Sequence, residues 1–276
     1  MGLQGERKRI LILVKTYPSI SKSYGELVCT AGIDENGHWI RLYPMPIAMF
    51  RDNEIKKYTW IEVEVTKRDR RFDDRPESYV PQRKTLQLIR HLPTNRYSDE
   101  RRRAVLGKVK TFTNLSELIE LGLNKTISLA LFKPKKVLKI SVARDTPEYS
   151  DEDWERFRAY QSDLFENPDF FDKQEPIKKL PFKLQISFED VVGRPSQMTV
   201  LDWEVGALWY NHLRDKPFEV IKEEIEKKYS SKPKEDLYLY LGTMYRNVQK
   251  KAENPWSIIG LAWFKEQIQS ELPLDI

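Results

Sequence analysis

Short apolar runs separated by turn residues recur along the chain, and several alternate between apolar and polar residues at every second position. The run YTWIEVEVTK (Tyr58–Lys67) places Ile and Val on one face and Trp and Glu on the other. Successive side chains of a β-strand point to opposite faces, so this pattern predicts a half-buried strand. Five such runs within the first third of the chain match the strand count of a small OB-type barrel. The five runs are Arg9–Pro18, Leu27–Ile33, His38–Tyr43, Tyr58–Lys67 and Lys84–Leu92.

The second half of the chain continues the strand pattern but interrupts it with helices. About five more strand-like runs follow, among them the alternating LPFKLQISFED. The sequence therefore predicts an α+β, β-rich fold in which two OB-like small β-barrels are joined and decorated by helices. We assign residues 1–122 to an N-terminal barrel plus a helical linker, and residues 123–276 to a second OB-like β module with inserted helices. One mixed sheet with helices on one face is the alternative.

Capping residues and helical spacing predict where the helices lie. The strongest pattern is Ser150–Phe165, which begins with a serine cap and an acidic first turn. Ser98 and Gly122 bound a helical stretch that links the two modules. Asp202 and Pro217 are the start signals of two further helices in the second module.

The positive charge of the chain is concentrated in its N-terminal part. Residues 1–110 carry 23 Lys and Arg against 14 Asp and Glu, whereas residues 111–276 carry 24 against 28. This asymmetry predicts a surface that faces a polyanion in the first module. The alternative is that these charged side chains are solvated and bind no ligand.

The composition indicates a cytoplasmic protein. Cys29 is the single cysteine, which excludes disulfide frameworks and cysteine-rich zinc sites. No apolar run approaches the length of a membrane span, and the first residues lack the apolar core of a signal peptide. We therefore expect no membrane partner.

One predicted strand, His38–Tyr43, places Trp39, Arg41 and Tyr43 on the same face. Burying an arginine costs several kcal/mol unless it is paired, and exposed aromatic rings are best explained by something that stacks on them. We predict a stacking platform for unpaired bases, each worth on the order of 1–3 kcal/mol. In the alternative, helices from the second half cover this face, the two rings are core residues, and Arg41 is an internal ion-pair partner.

Cationic and aromatic residues flank this strand in the chain. The loop KRDRRFDDRPESY, which begins at Lys67, contains five cations, although its three aspartates offer self-neutralisation as an alternative. An OB-type barrel binds single strands on its second and third strands and the flanking loops. The predicted nucleic-acid-binding residues are Lys15, Tyr17, Lys22, Tyr24, Trp39, Arg41, Tyr43, Lys67, Arg68, Arg70, Arg71 and Arg75.

Motifs for catalysis are scarce. The three histidines have no metal-binding spacing, and no phosphate-binding or nucleophile motif occurs. We predict no catalytic residue, no metal site and no cofactor. A metal-dependent nuclease is the alternative from another class, with Glu62, Glu64, Asp73 and Asp74 as its candidate ligands.

Several segments taken together resemble the prokaryotic dual OB-containing domain family: ILVKTYPSISKSYGELVCTAGI, GHWIRLYPMP, DDRPESYVP, MTVLDWEVGALWYNHLR, DLYLYLGTMYR and NPWSIIGLAWF. The similarity runs nearly end to end. It implies two barrels and a nucleic-acid-related role, often beside anti-phage conflict systems. No catalytic residues are established for the family, so none are transferred. The matching positions are inferred binding residues only: Lys15, Tyr17, Tyr24, Glu26, Trp39, Arg41 and Tyr43.

The sequence thus predicts a non-catalytic component of a prokaryotic defence or DNA-maintenance system that binds single-stranded or structured DNA or RNA, with a possible protein partner in a defence complex. A nucleotide-sensing effector is an alternative to the nuclease. The tail adds an adaptor hypothesis, because Gln269, Leu272 and Leu274 resemble the short peptide by which bacterial proteins dock on the replication sliding clamp. The tail folding back onto its own barrel is the simpler explanation of these leucines.

Overall fold

The computed structural model of the protein describes residues 5–21, 25–45, 50, 55–71, 73–93, 100–155, 177–234 and 236–264. Its fold is α+β and β-rich, as predicted, with two separate large sheets instead of one mixed sheet. None of the helices that these residues form is both long and apolar enough to cross a membrane.

The first module is built from short strands in residues 5–93. They are β1 (Glu6–Lys15), β2 (Ser19–Ser21), β3 (Gly25–Leu27), β4 (Thr30–Ile33), β5 (Trp39–Leu42), β6 (Thr59–Lys67), β7 (Ser78–Pro81) and β8 (Gln87–His91). The turn between β4 and β5 closes with a hydrogen bond from the Gly37 amide to the Asp34 carbonyl. Gly37 has a φ of 87°, a conformation that glycine adopts without strain.

Five of these strands close into a barrel in the order β1–β4–β5–β7–β6–β1. Neighbours pair antiparallel except β5 and β7, which are parallel. This is the connectivity of a five-stranded OB-type barrel. The strand predicted at Lys84–Leu92 is present as β8, but it does not close the barrel: β7 pairs with both β5 and the end of β6, whereas β8 pairs only with the beginning of β6, on the same edge as β7. Strand β7 escaped sequence reasoning because it is short and ends at Pro81.

Alternation along the strands fills this barrel. Ile61, Val63 and Val65 of β6 point inward, as predicted, and pack with Ile10 and Ile12 of β1. The intervening residues of β1 are also buried, but in a different apolar cluster. A strand that is buried on both faces reads as a continuous apolar run, which explains the sequence RILILV at this position.

The second module begins after the short helix α1 (Glu100–Leu106). Its strands are β9 (Thr111–Phe112), β10 (Leu129–Phe132), β11 (Lys136–Arg144), β12 (Phe182–Glu189), β13 (Pro195–Val200), β14 (Leu237–Thr243) and β15 (Trp256–Trp263). Its helices are α2 (Leu115–Leu123), α3 (Trp203–Leu208), which continues as a π-helical turn over Trp209–Leu213, α4 (Phe218–Ser230) and α5 (Tyr245–Gln249).

The second sheet repeats the strand order of the first barrel. Its order is β11–β12–β13–β15–β14–β10–β9, with β13 and β15 parallel. Strands β10 and β11 are one extended segment interrupted by Lys133–Lys135, and its two halves pair with β14 and β12 at opposite ends of the sheet. They therefore correspond to the long first strand of an OB-type barrel. The inward residues Phe182, Leu184, Ile186 and Phe188 alternate along β12 as predicted.

The boundary between the modules lies earlier than the predicted residue 122. Leu115 and Leu118 of α2 are buried in the core of the second barrel. Trp256 of β15 donates its indole N–H to the Leu118 carbonyl at 2.8 Å. Helix α2 therefore belongs to the second module and is not a linker of the first.

The predicted start signals of the later helices are confirmed. Asp202 caps α3 by accepting the Glu204 amide at 2.9 Å, and Pro217 precedes α4. Ser150 and Asp153 hydrogen-bond reciprocally at the start of the predicted helix Ser150–Phe165. That helix is described only as far as residue 155.

The two barrels lie side by side and share an apolar seam. Outward residues of β1 and β4 meet outward residues of β10, β14 and β15 across it. The seam includes Leu11, Leu13, Ala31 and Ile33 from the first barrel and Leu129, Leu131, Tyr240 and Ile259 from the second. One barrel thus buries the outer face of the other.

Candidate functional site

The predicted stacking platform on β5 lies in this seam. Arg41 is only 1% exposed, and Trp39 packs edge-on against Tyr240 with ring centroids 6.1 Å apart. The prediction of a platform open to solvent is therefore wrong for Arg41 in this arrangement. The alternative of a covered face holds, and Tyr240 of β14 in the second barrel supplies a covering ring where helices of the second half were predicted.

Arg41 joins the two barrels through hydrogen bonds. Its guanidinium donates to the Ser128 carbonyl at 2.8 Å and to the Cys29 Sγ at 2.9 Å. Burial lowers the pKa of Arg41, and the nearby Arg75 lowers it further. Glu77 accepts the Ser128 amide and hydroxyl, so it holds the group that Arg41 contacts. The arginine is a structural element of the seam.

Tyr43, the last residue of the predicted platform, lies at the end of the seam beside two arginines. The guanidinium carbon atoms of Arg68 and Arg75 lie 5.2 and 5.9 Å from its ring centroid. Arg75 is itself paired with Asp73 at 2.7 Å and is largely buried. The ring of Tyr43 is thus engaged by the protein's own cations.

Lys15 is buried and Tyr17 is half-buried, and both contact the second module. The Lys15 ammonium lies 4.5 and 4.7 Å from the ring centroids of Phe50 and Trp203 and donates to the Ile55 carbonyl. Burial lowers the pKa of Lys15 to about 8. Tyr17 packs so closely on α3 that a Cβ atom added at Gly206 would lie 1.9 Å from its ring. Both residues therefore join the modules.

A buried ion pair that the sequence did not reveal lies next to Lys15. The Lys57 ammonium is 2.7 Å from the Asp202 carboxylate, and both side chains are almost completely buried. Burial by itself lowers the pKa of Lys57, but Asp202, Glu204 and Tyr58 together outweigh burial and raise the pKa. Asp202 also accepts the Leu261 amide at 2.8 Å. One carboxylate thus ties a loop of the first barrel to two elements of the second.

The loop that begins at Lys67 is partly self-neutralised, which was the alternative to its use as a binding loop. Arg71 pairs with Asp69 at 2.6 Å, and Arg75 pairs with Asp73. Lys67 donates to the Pro76 carbonyl and lies over the ring of Tyr79. Arg70 is exposed at the tip of the loop. The loop retains cations at the surface, but fewer than the sequence predicts.

Some predicted residues lie outside the described part of the chain: Lys22, Tyr24, Gln269, Leu272 and Leu274. Of the carboxylates proposed for a nuclease, Glu62 pairs with Arg7 and Asp74 pairs with Lys125. Within the described ranges, no group of three or more His, Cys, Asp or Glu side chains is arranged to hold a metal ion.

A denser cationic surface, which sequence reasoning missed, is formed by β8 and α1; we call it the cationic strip. Residues 83–110 carry 9 Lys and Arg but only 2 Asp and Glu, so they hold most of the positive excess of the first module. All five residues of β8 are exposed, and so are Arg103 and Lys108. A charge count over this one segment, instead of over half the chain, would have located it.

The contacts within the cationic strip hold it together without neutralising it. Arg90 of β8 pairs with Glu100 of α1 at 2.9 Å. Arg101 donates to the Leu92 carbonyl and lies 4.4 Å from the ring centroid of Tyr58. Strand and helix are thereby joined into one surface beside the beginning of β6.

Barrel connectivity, the apolar seam and the exposed cationic strip define a class of protein: a double OB-like module. Residues 109–275 match the family model described as Domain of unknown function (DUF8757), and the chain belongs to this family. Residues 6–107 match a second model, Domain of unknown function (DUF8758). A comparison with curated proteins finds no match. The two matched ranges meet near the boundary that the packing of α2 indicates.

Proposed function

We propose that the protein binds single-stranded or structured DNA or RNA without cleaving it, and that it does so in the cytoplasm as part of a prokaryotic defence or DNA-maintenance system. The observation that carries this proposal is the cationic strip of β8 and α1. Arg90, Arg103 and Lys108 are exposed there, and residues 83–110 carry 9 Lys and Arg against 2 Asp and Glu, as expected of a surface that neutralises phosphates.

The two OB-like barrels further support nucleic acid as the ligand, because OB-folds often bind oligonucleotides. The defence setting rests on the family resemblance of the sequence alone. Docking of the tail on a sliding clamp stays a prediction, since its residues lie outside the described part of the chain.

Fluorescence anisotropy with a labelled oligodeoxythymidylate and a labelled hairpin RNA tests the proposal. Arg90→Gln combined with Arg103→Gln removes two exposed charges from the cationic strip. Each phosphate contact of a single strand contributes about 0.7 to the slope of log affinity against log salt. The double variant should therefore weaken binding about ten-fold at 0.1 M salt and lower that slope by about 1.4.

The matched control removes two exposed cations from the acidic surroundings of α4, as Lys216→Gln with Lys227→Gln. This control should bind like the unaltered protein. Absence of binding to either probe, or binding that does not respond to salt, rules the proposal out. Equal losses in both double variants would rule out the cationic strip as the site.

A further inference from the structure

The second barrel exposes the face that the first barrel buries. Strands β12 and β13 of the second barrel correspond to β4 and β5 of the first. The outward side chains of β11, β12 and β13, which we call the open face, point away from the seam and are exposed or half-buried. Pairing aligns them into rungs that run across the sheet.

These rungs present hydrogen-bonding side chains. Lys139, Ser187 and Gln197 are aligned across the three strands by register. Ser141, Gln185 and Thr199 form the next rung. Gln197 donates to Gln185 at 3.4 Å, which leaves most of its capacity for other partners.

The open face is also cationic on one side. Residues 133–144, which include β11, contain five Lys and Arg and no acidic residue. Lys136 and Lys139 are exposed on this strand. Lys183 of β12 is exposed too and lies 3.4 Å from Asp145. Acidic groups reach β11 at both ends: Glu219 lies 3.4 Å from Arg144, Glu226 of α4 accepts the Val142 amide, and Glu189 of β12 lies opposite Lys136 in register. Among these strand residues, Lys139 faces Ser187 and has no acidic partner in register.

An apolar tip ends the open face at the turn between β12 and β13. Val191 and Val192 are 48% and 67% exposed there, at positions where turns favour Gly, Asn, Asp and Ser. The buried Asp190 holds this turn by accepting the amides of Val192 and Arg194 and, from α2, that of Leu115. The turn is therefore held by several hydrogen bonds and presents two valines to solvent at the end of the open face.

We infer that the open face of the second barrel, with its Val191–Val192 tip, is a second contact surface for single-stranded nucleic acid. Lys136, Lys139 and Lys183 would neutralise phosphates, and the polar rungs would contact base edges. The valine tip packs against an unpaired base, whose apolar surface a duplex conceals. The excess of Lys and Arg along β11 favours a polyanion as the partner of this face. This inference rests on the proposed function, because it assigns another surface to the same class of ligand.

The experiment compares a labelled oligodeoxythymidylate with a labelled blunt duplex. Lys139→Gln with Lys183→Gln should weaken binding of the single strand about ten-fold at 0.1 M salt and lower the salt slope by about 1.4. Val192→Ser should weaken binding of the single strand about five-fold, through lost apolar burial, and leave binding of the duplex unchanged. The control is again Lys216→Gln with Lys227→Gln.

The outcomes separate the two proposals. If the cationic-strip variant loses affinity while the open-face variants bind normally, the second surface is refuted and the proposed function stands. If Val192→Ser weakens duplex and single strand equally, the assignment to unpaired bases is refuted. If the unaltered protein binds neither probe, both proposals fall together. All the substituted side chains are exposed, so an unchanged thermal unfolding midpoint confirms that each variant is folded.

Discussion

The two barrels share a strand order but differ in what their corresponding faces do. The outward side of β4 and β5 carries Trp39, Arg41 and apolar residues, and the second barrel covers it. The corresponding side of β12 and β13 carries Gln, Ser and Thr and faces solvent. Connectivity alone therefore does not assign a ligand face to an OB-like barrel. Which face is open depends on where the neighbouring module packs.

The largest expected effect comes from removing one partner of the buried ion pair between Lys57 and Asp202, which joins the two barrels. Asp202→Asn leaves the buried Lys57 ammonium without its carboxylate, which should cost about 3–5 kcal/mol of unfolding free energy. Urea denaturation measures this loss. The adjacent Glu204→Gln is the control, because Glu204 is largely exposed and lies 3.8 Å from the same ammonium. Equal stability of Asp202→Asn and the unaltered protein would show that the seam does not depend on this pair.

A smaller loss of stability is expected when a side chain on the third strand of the first barrel, β5, is removed. The same kind of substitution on the third strand of the second barrel, β13, serves as the comparison. Arg41→Ala removes hydrogen bonds across the seam and leaves a cavity, so stability should fall by about 2–4 kcal/mol. Gln197→Ala, on the third strand of the second barrel, should stay within about 0.5 kcal/mol. Chemical denaturation of both variants tests whether one face is structural and the other is not. Similar losses of unfolding free energy in the two variants would contradict a structural role for only one of the two faces.

The smallest effect is a pH dependence at Lys15. Burial lowers its pKa from 10.5 to about 8. Between these values the unfolded chain binds more protons than the folded one, so Lys15 makes stability rise with pH in that window. Lys15→Met should remove roughly 1–3 kcal/mol of this rise. We expect a change near the lower end of this free-energy range, because the rings of Phe50 and Trp203 stabilise the ammonium form of Lys15.

Denaturation series at several pH values between about 7 and 10.5 measure this difference. Lys227→Met, the same substitution at an exposed lysine, is the control. An identical pH dependence in Lys15→Met and the unaltered protein would contradict the buried position of the amine.

Local pattern predicted much of the fold. Alternation located β6 and β12, and capping residues located the start of α3 at Asp202 and of α4 at Pro217. These signals depend only on neighbours in the chain, so the sequence alone carries them. The short strand β7 was not predicted, because its pairing with β5 and β6, and not its composition, makes it a strand.

The candidate site was harder to predict because exposure is not a local property. The aromatic and cationic residues of β5 suit a stacking platform and a seam equally well. The run ILILV in β1 is typical of a strand that is buried on both faces, as the structure shows it to be. It did not indicate which surface covers the outer face of that strand.

The sequence by itself thus determined two strand-rich modules, their helices and the concentration of positive charge near the N-terminus. Only the tertiary structure decided that Arg41 and Lys15 are buried and that Lys57 meets Asp202. It also decided that the exposed surfaces are the cationic strip and the open face of the second barrel. The physical reason is that burial is set by packing between segments far apart in the chain. Arg41 meets Ser128 across 87 residues, and Lys57 meets Asp202 across 145. No periodicity within either segment records such a contact.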